Sequence, residues 1–452
     1  MYSINKRRLG GIGTVAAAAV VLAACSGTPE GGPGGGGGGG EPAPEGATTV
    51  EFWQTNYTDE ENEWYEGIVE AFNESQDDVH VRLTVVPGDA WDQRMTAAQA
   101  AGNAPDVYTQ SYGNIPDGAR TGQLHPLGDL IGAEAWDDLQ DNVRGMVSYD
   151  GEEYAYPLLV EPSAVLYYRT DLFEEAGLEG PPQTWDELEE YAATLTSDSV
   201  FGLRLAQNAN DLAWSTWGYQ HNVAGHLPIS DDWSEPAATD EYAPLLQAFQ
   251  DMFEAGSIPP ADGLAYPDAS TFGDGEYAMM ANGSWAASQL LADYPDLVEN
   301  VAVAPMPTFD GGTGQTTATL GGWSLVVDGN SENPEAAASF IEWALGGDVE
   351  NVLPFFEATV YSKVSPRESV AQAISESPDV EDVNPFNQVI QEEIVPFAEP
   401  EPTYPFNVSL AMGEAIEAAM QGTDVDQALA EATEKIRVEI QNSQLAGTGP
   451  GA

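Results

Sequence analysis

The sequence predicts an α/β protein with more than one domain. Strand-like and helix-like segments alternate in the order β-α-β-α-β between residues 48 and 108, which is typical of a parallel sheet covered by helices. A second alternating set begins after residue 161. The chain has 452 residues, and single hydrophobic cores rarely grow beyond about 250–300 residues. We therefore expect two α/β domains.

The elements of the first domain follow from hydrophobic periodicity. In the first helical segment, Trp64, Ile68 and Phe72 recur at the spacing of one helical face. The predicted elements, alternately strand and helix, are 48–53, 59–74, 79–85, 91–101 and 105–108. Ligands of such sheets bind at the carboxyl ends of the strands. Here those ends are residues 53–57 and 110–114.

The second domain shows the same two periods. A capping box, Thr184-Trp185-Asp186-Glu187, opens its first helix. The later predicted segments are a strand at 199–205, a helical segment at 211–221, a helix at 245–255, a strand at 277–281, an apolar run at 324–327, and helices at 333–345, 410–420 and 423–440.

One carboxylate interrupts the most apolar stretch of the chain, YAYPLLVEPSAVLYYRTDLFEEAGL at 154–178. A charged group in an apolar strand costs free energy unless something pairs with it. Glu161 is therefore either a ligand contact or half of a buried ion pair. Arg169 and Arg204 are the cations that the sequence suggests for such a pair.

The amino-terminal residues indicate export. Residues 1–24 combine a basic start, an apolar run at 9–20 and small residues before Cys25, as secretory signals do. An uncleaved membrane helix is disfavoured because it needs about 20 apolar residues. The sequence Leu-Ala-Ala-Cys resembles a bacterial lipobox, which implies cleavage before Cys25 and a lipid on its sulfur. Residues 25–47 are rich in Gly and Pro and indicate a flexible tether.

The formal charge of −61, from 13 basic and 74 acidic residues, excludes some partners. Such a surface repels nucleic acid and anionic membranes. Self-repulsion of the folded state is screened at molar salt, where the Debye length is about 3 Å. We therefore expect a halophilic protein of a saline exterior.

Seven short motifs, in order, resemble the sugar-binding family of extracellular solute-binding proteins of ABC importers, which includes maltose-binding protein. One departure is Arg169, where the family commonly has Asn. The motifs are APDV at 104–107 with GQL at 122–124, YP at 156–157 with Glu161 and YYRTDLF at 167–173, PQTWDEL at 182–188, GEYAMM at 275–280 with GSW at 283–285, PMP at 305–307, GGW at 321–323, and PEAA at 334–337.

This resemblance implies a two-lobe periplasmic-binding-protein-like fold, with hinge strands and a ligand cleft between the lobes. It places lobe 1 at 48–158 plus 305–362 and lobe 2 at 159–304 plus 363–445, with crossings near 158–160, 304–307 and 361–366. It implies a carbohydrate ligand and ABC permease subunits as partners. It also implies a monomer lipid-anchored to the outer face of the cell membrane, without a cofactor or enzymatic activity.

A cleft for a sugar needs aromatic platforms and polar groups for the hydroxyls. The resemblance places a ligand-contacting carboxylate at Glu161 and favours Trp285, which follows a strand and a glycine turn. For each candidate the alternative is an ordinary structural role, as a side chain of the core or of a turn. The predicted ligand-binding residues are Glu161, Trp285, Trp323, Asn56, Tyr57, Gln110, Tyr112, Asn114, Trp91, Trp214 and Tyr404.

Other functions remain open at this stage. A secreted glycoside hydrolase or lyase would need two carboxylates roughly 5–10 Å apart in one cleft. A receptor of the same fold could instead bind a polyol or a compatible solute. We expect no metal site, because His80, His125, His221 and His226 lack metal-ligand spacing.

Overall fold

A computed structural model describes residues 43–56, 58–260, 264, 266–378 and 380–449. The predicted signal segment, Cys25 and most of the tether lie outside the described residues, as does Tyr57. In chain order the strands are β1 (Thr48–Thr55), β2 (Val79–Val86), β3 (Val107–Ser111), β4 (Ser148–Tyr149), β5 (Glu152–Glu153), β6 (Ala155–Pro162), β7 (Val165–Arg169), β8 (Phe201–Arg204), β9 (Tyr277–Asn282), β10 (Val301–Ala304), β11 (Thr319–Val327) and β12 (Glu399–Pro400).

Helices connect and cover these strands. Among the described residues, no helix combines the length and the apolar character that a membrane crossing requires. The helices are α1 (Asp59–Ser75), α2 (Gly88–Ala101), α3 (Ile115–Thr121), α4 (Ala133–Asp137), α5 (Asp141–Met146), α6 (Thr170–Ala176), α7 (Trp185–Leu195), α8 (Ala209–Ser215), α9 (Trp217–Ala224), α10 (Ala243–Glu254), α11 (Ser270–Gly273), α12 (Ala286–Asp293), α13 (Pro295–Val298), α14 (Pro334–Ile341), α15 (Val349–Ala358), α16 (Glu368–Glu376), α17 (Val380–Val383), α18 (Asn387–Val389), α19 (Phe406–Met420) and α20 (Val425–Asn442).

The first sheet has the order β12-β11-β3-β1-β2, with β6 paired to β11. Strand β1 is parallel to both β2 and β3, so the predicted β-α-β-α-β unit is confirmed. Strand β11 returns from far along the chain and lies antiparallel to β3 and β6. In its register Trp323 lies between Ser111 and Leu159.

The second sheet has the order β10-β7-β9-β8. Strands β8 and β9 are parallel, whereas β7 is antiparallel to both β9 and β10. Only Ser163 and Ala164 separate β6 of the first sheet from β7 of the second. The stretch around Glu161 therefore carries the chain from one sheet to the other.

Each sheet has its own hydrophobic packing. The first core covers one face of the first sheet and contains Phe52, whose ring centroid lies 5.6 Å from that of Phe340. The second core, with Tyr112 and Val160, covers the opposite face. The third core surrounds the second sheet and includes Met279. The protein thus has two lobes, one on each sheet, and the exact residue boundaries of the lobes stay a prediction.

Local sequence signals account for most element boundaries. The hydroxyl of Thr184 accepts a hydrogen bond from the Glu187 amide at 3.1 Å, as the capping box predicts. The segment predicted at 211–221 is instead two helices, α8 and α9, broken at Thr216, where the backbone leaves the helical region. The helix predicted over 333–345 ends as an α-helix at Ile341 and continues as a π-helix over Glu342–Gly346.

Candidate ligand-binding site

Glu161 lies in a fully buried strand and is itself only 8% exposed. Its Oε2 lies 3.2 Å from the Nζ of Lys363. Neither arginine suggested by the sequence pairs with it. Arg169 forms a bidentate ion pair with Asp171 at 2.8 and 2.6 Å, and Arg204 donates a hydrogen bond to the carbonyl of Tyr266. The ion pair that the sequence analysis gives as the alternative to a ligand contact is present, but its cation lies 202 residues away, beyond the reach of local patterns.

Lys363 holds a second carboxylate. Its Nζ lies 3.4 Å from Oε1 of Glu61 in the first turn of α1, and all three side chains are buried. Burial lowers the pKa of Lys363, but Glu161 and Glu61 raise it by more, so its net pKa lies above the usual range. Burial raises the pKa of Glu61 although Lys363 opposes the shift. One ammonium thus serves two carboxylates, and the cluster has an excess of hydrogen-bond acceptors.

A further carboxylate, Glu401, lies over the glycine that faces Glu161. Gly321 is the register partner of Glu161, and Leu320 is that of Pro400. A Cβ at Gly321 would overlap the Glu401 carboxylate, so a larger residue there would displace the Glu401 side chain. Burial, followed by the charge of Glu161, raises the pKa of Glu401 to about 7. The sequence analysis missed this residue, although the Gly321-Gly322 pair signals a close approach at this point.

A cavity of about 200 Å³ adjoins Glu401. Tyr112 lines it and donates its hydroxyl to the Leu159 carbonyl at 2.6 Å. Burial raises the pKa of Tyr112 well above its usual value, and Glu401 and Glu161 add to the shift. The remaining lining residues are Gly145, Met146, Pro400 and Thr403.

Trp285 lies three residues after Asn282, which ends strand β9 of the second sheet. The amide of Ser284 donates to the carbonyl of Pro162 at 3.1 Å, so the neighbours of Trp285 and Glu161 are bonded to each other. The Trp285 ring lies over Gly283, where a Cβ would overlap it. Its indole nitrogen is buried and has no hydrogen-bond partner within the described part of the chain. The Trp214 ring lies 5.9 Å from that of Trp285 between centroids.

The predicted polar residues of the first lobe divide into two groups. Asn114 donates to Gln110 and Ser111 at 3.1 Å each, at the carboxyl end of β3, beside Trp323 on β11. Asn56 instead accepts a hydrogen bond from Asn62 on α1. These hydrogen bonds are of the kind that turns and helix starts commonly form.

Two of the predicted aromatic residues lie elsewhere. Trp91 is partly buried against the second core, to which Tyr112 also belongs. Tyr404 is buried in the third core, with its ring 6.5 Å from that of Trp233. Tyr112 and Trp323 are linked to the strand of Glu161 through Leu159, and Trp214 lies against Trp285. Which of the predicted residues contact a ligand stays a prediction.

Strands β1 and β3 also carry buried polar atoms that the sequence analysis did not consider. Gln54, near the end of β1, is fully buried, and neither atom of its amide group has a hydrogen-bond partner in the described ranges. The hydroxyl of Thr109 on the neighbouring strand β3 is also buried without a partner there. Among the described residues no cluster of His, Cys, Asp and Glu could hold a metal ion.

Comparison with known proteins decides the family. The model of the bacterial extracellular solute-binding protein family matches residues 23–349. The chain belongs to this family. The match spans both sheets, and members of the family are binding proteins. The resemblance inferred from the seven motifs is therefore confirmed, and so is the two-lobe fold.

Characterised relatives of this solute-binding protein bind several solutes. A mannitol-binding protein of Pseudomonas aeruginosa is 28% identical over 318 residues, which cover 65% of this chain and 70% of that protein. An arabinooligosaccharide-binding protein of Halalkalibacterium halodurans is 25% identical over 322 residues, covering 66% and 68% respectively. The crystal structure of a cyclic alpha-maltosyl-1,6-maltose binding protein from Arthrobacter globiformis superposes with a TM-score of 0.71 at 26% identity, over 88% of this chain and all of that one.

Proposed function

We propose that this protein is the substrate-binding component of an ABC importer and that it binds a neutral carbohydrate, with a polyol as the alternative. The observation that carries the proposal is that the segments of Trp285 and Glu161 meet, through a 3.1 Å backbone hydrogen bond between their neighbours Ser284 and Pro162. A sugar has apolar ring faces and a rim of hydroxyl groups. An indole ring and a carboxylate presented by neighbouring segments would match both features.

The charge of the site argues for a ligand that donates hydrogen bonds. Glu61 and Glu161 share one cation, Lys363, and the charge of Glu161 also acts on Glu401. An anionic solute would add a negative charge to this group and would meet the field of a chain with a formal charge of −61. Hydroxyl groups can donate to the carboxylates without that penalty. The three relatives described above are named for neutral carbohydrates or a polyol, which supports the same class of ligand.

We assign the principal ligand contacts to Glu161, Trp285, Trp323 and Trp214. The two lobes would close on the ligand by a hinge motion about the strands that connect them. Gln110, Tyr112 and Asn114 stay predicted contacts on the side of the first lobe. Asn56, Tyr57, Trp91 and Tyr404 also stay predictions, with less support from their surroundings.

The location and solution state of the protein are proposed on the same basis. An exported protein with a lipid on Cys25 and a Gly/Pro-rich tether would remain close to permease subunits in the cell membrane. We propose that it acts there as a monomer. The density of acidic residues supports adaptation to a saline environment, where the charges of the surface are screened.

A thermal-shift panel at high salt tests the proposed function. The panel contains mannitol, arabino-oligosaccharides, linear malto-oligosaccharides and cyclic maltosyl-maltose, with glycerol 3-phosphate and glucuronate as anionic controls. A ligand at 100 times its dissociation constant stabilises the folded state by about 2.7 kcal/mol, which raises the melting temperature measurably. We expect at least one neutral compound to do so and the anionic controls not to. Stabilisation by the anionic controls alone, or hydrolysis of an oligosaccharide, would refute the proposal.

A further inference from the structure

Lys363 lies on a short segment that contacts both lobes. Its neighbour Val364 exchanges two backbone hydrogen bonds with Val160, at 2.8 and 2.9 Å, one residue before Glu161. On the other side, Ser288 of α12 donates to the carbonyl of Thr359 at 3.1 Å and lies 2.6 Å from the hydroxyl of Ser362. Helix α12 begins directly after Trp285. Residues 359–364 therefore contact the neighbours of two of the proposed ligand contacts, Glu161 and Trp285.

The backbone of this segment is strained immediately before Lys363. Val360 and Tyr361 have φ values of 46° and 53°, a left-handed conformation that costs a non-glycine residue on the order of 1–3 kcal/mol. Asn384 and Asn387 hold this conformation by donating to the carbonyls of Val360 and Tyr361 at 3.0 and 2.8 Å. A β-branched residue in this region is an outlier. The surrounding structure therefore specifies the path of the segment closely, and with it the position of the Lys363 side chain.

We propose that Lys363 is a positioning residue of the binding site, which holds the Glu161 carboxylate in its ligand-facing place and fixes it to helix α1 through Glu61. This proposal rests on the proposed function and names a residue that acts through another. In the buried cluster Lys363 is the one group that bonds to both carboxylates. Without the ammonium, two buried carboxylates would face each other unpaired, and Glu161 would lose the contact that orients it.

The test compares Lys363→Met with a matched control, Arg367→Met. Arg367 is a second buried cation on the same stretch, but its ion pair with Asp138, at 2.6 Å, lies away from Glu161. Affinity is measured for the neutral compound that gives the largest shift in the thermal panel, on protein shown by circular dichroism to be folded. We expect Lys363→Met to weaken binding by about tenfold or more and Arg367→Met to leave affinity unchanged while lowering stability. Equal losses in both variants, or no loss in Lys363→Met, would overturn the proposal.

A double-mutant cycle tests whether Lys363 acts through Glu161. In a Glu161→Gln background, Lys363→Met should weaken binding no further, because the carboxylate that it positions is already gone. Additive losses would contradict the proposed route. If Lys363→Met alone fails to fold, the cycle is repeated with Lys363→Met/Glu61→Gln, which removes one of the two unpaired carboxylates.

A measurement without ligand separates this proposal from the proposed function. Hydrogen exchange at the Val160 and Val364 amides should accelerate by about tenfold or more in Lys363→Met, beyond what its loss of global stability accounts for. In Arg367→Met it should accelerate no more than the loss of global stability accounts for. If no compound in the panel binds, the proposed function fails, but this exchange pattern still tests whether Lys363 fixes the strand that carries Glu161. Unchanged exchange in Lys363→Met would overturn the proposal on its own.

Discussion

Replacing Glu401 with Gln should stabilise the protein at alkaline pH. The pKa of Glu401 rises from 4.5 to about 7 in the folded state, so folding favours its protonated form. Stability from this group is fully present below pH 4.5 and is lost as the pH rises through 7. The penalty reaches at most about 3 kcal/mol at pH 8 and about 1.4 kcal/mol at pH 5.5, because solvent screens part of the charge of Glu401, which is only partly buried. Glutamine keeps the shape and removes the charge, so it should recover this free energy.

Denaturant unfolding at pH 8 and pH 5.5 in high salt measures the effect. The expected gain of Glu401→Gln over the wild type is at most about 3 kcal/mol at pH 8 and roughly half that at pH 5.5. Glu399→Gln is the matched control, because Glu399 is exposed on β12, two residues before Glu401, and surface changes usually stay within about 0.5 kcal/mol. A destabilised Glu401→Gln variant, or a gain independent of pH, would refute the assigned burial and the effect of the Glu161 charge.

Two further predictions concern Trp285 and the surface charge. Trp285→Ala should weaken binding of the neutral panel ligand by about tenfold or more and should remove most of the ligand-induced change in tryptophan fluorescence. Trp285→Phe keeps an aromatic ring and should lose less affinity. Wild-type affinity in Trp285→Ala would show that this residue does not belong to the site. Lowering the salt from molar to about 0.1 M should reduce the melting temperature by several degrees, since a charge of −61 is then less screened. A melting temperature insensitive to salt would contradict halophilic adaptation.

Local sequence patterns predict most of the first lobe correctly. The strand and helix positions up to residue 111 follow from side-chain periodicity, because each element buries one face against a neighbour close in sequence. The pairing of β6 with β11 lies beyond such patterns, since more than 150 residues separate the two strands. One motif residue is explained by this pairing. Gly322 lies in β11 where any Cβ would overlap the carbonyl of Leu159 in β6.

The site was only partly predictable for the same reason. Glu161 could be recognised because a charge in an apolar strand is conspicuous within its own segment. Its partner Lys363 and the neighbouring Glu401 come from segments with no local sign of burial, and tertiary packing alone brings them together. Trp91 and Tyr404 are predicted as ligand contacts from their position near turns. The structure packs both against hydrophobic cores, and their contact with a ligand stays a prediction.

The most direct test of the central claim is the affinity of Glu161→Gln for the neutral compound selected in the panel, measured by titration calorimetry at high salt. The variant should stay folded, because Lys363 keeps Glu61 as its partner at 3.4 Å. Hydrogen bonds to a charged group contribute about 1.5–3 kcal/mol, so we expect binding to weaken by roughly 10- to 150-fold with little change in melting temperature. Unchanged affinity together with a lower melting temperature would contradict the account and leave Glu161 as a structural ion-pair partner only.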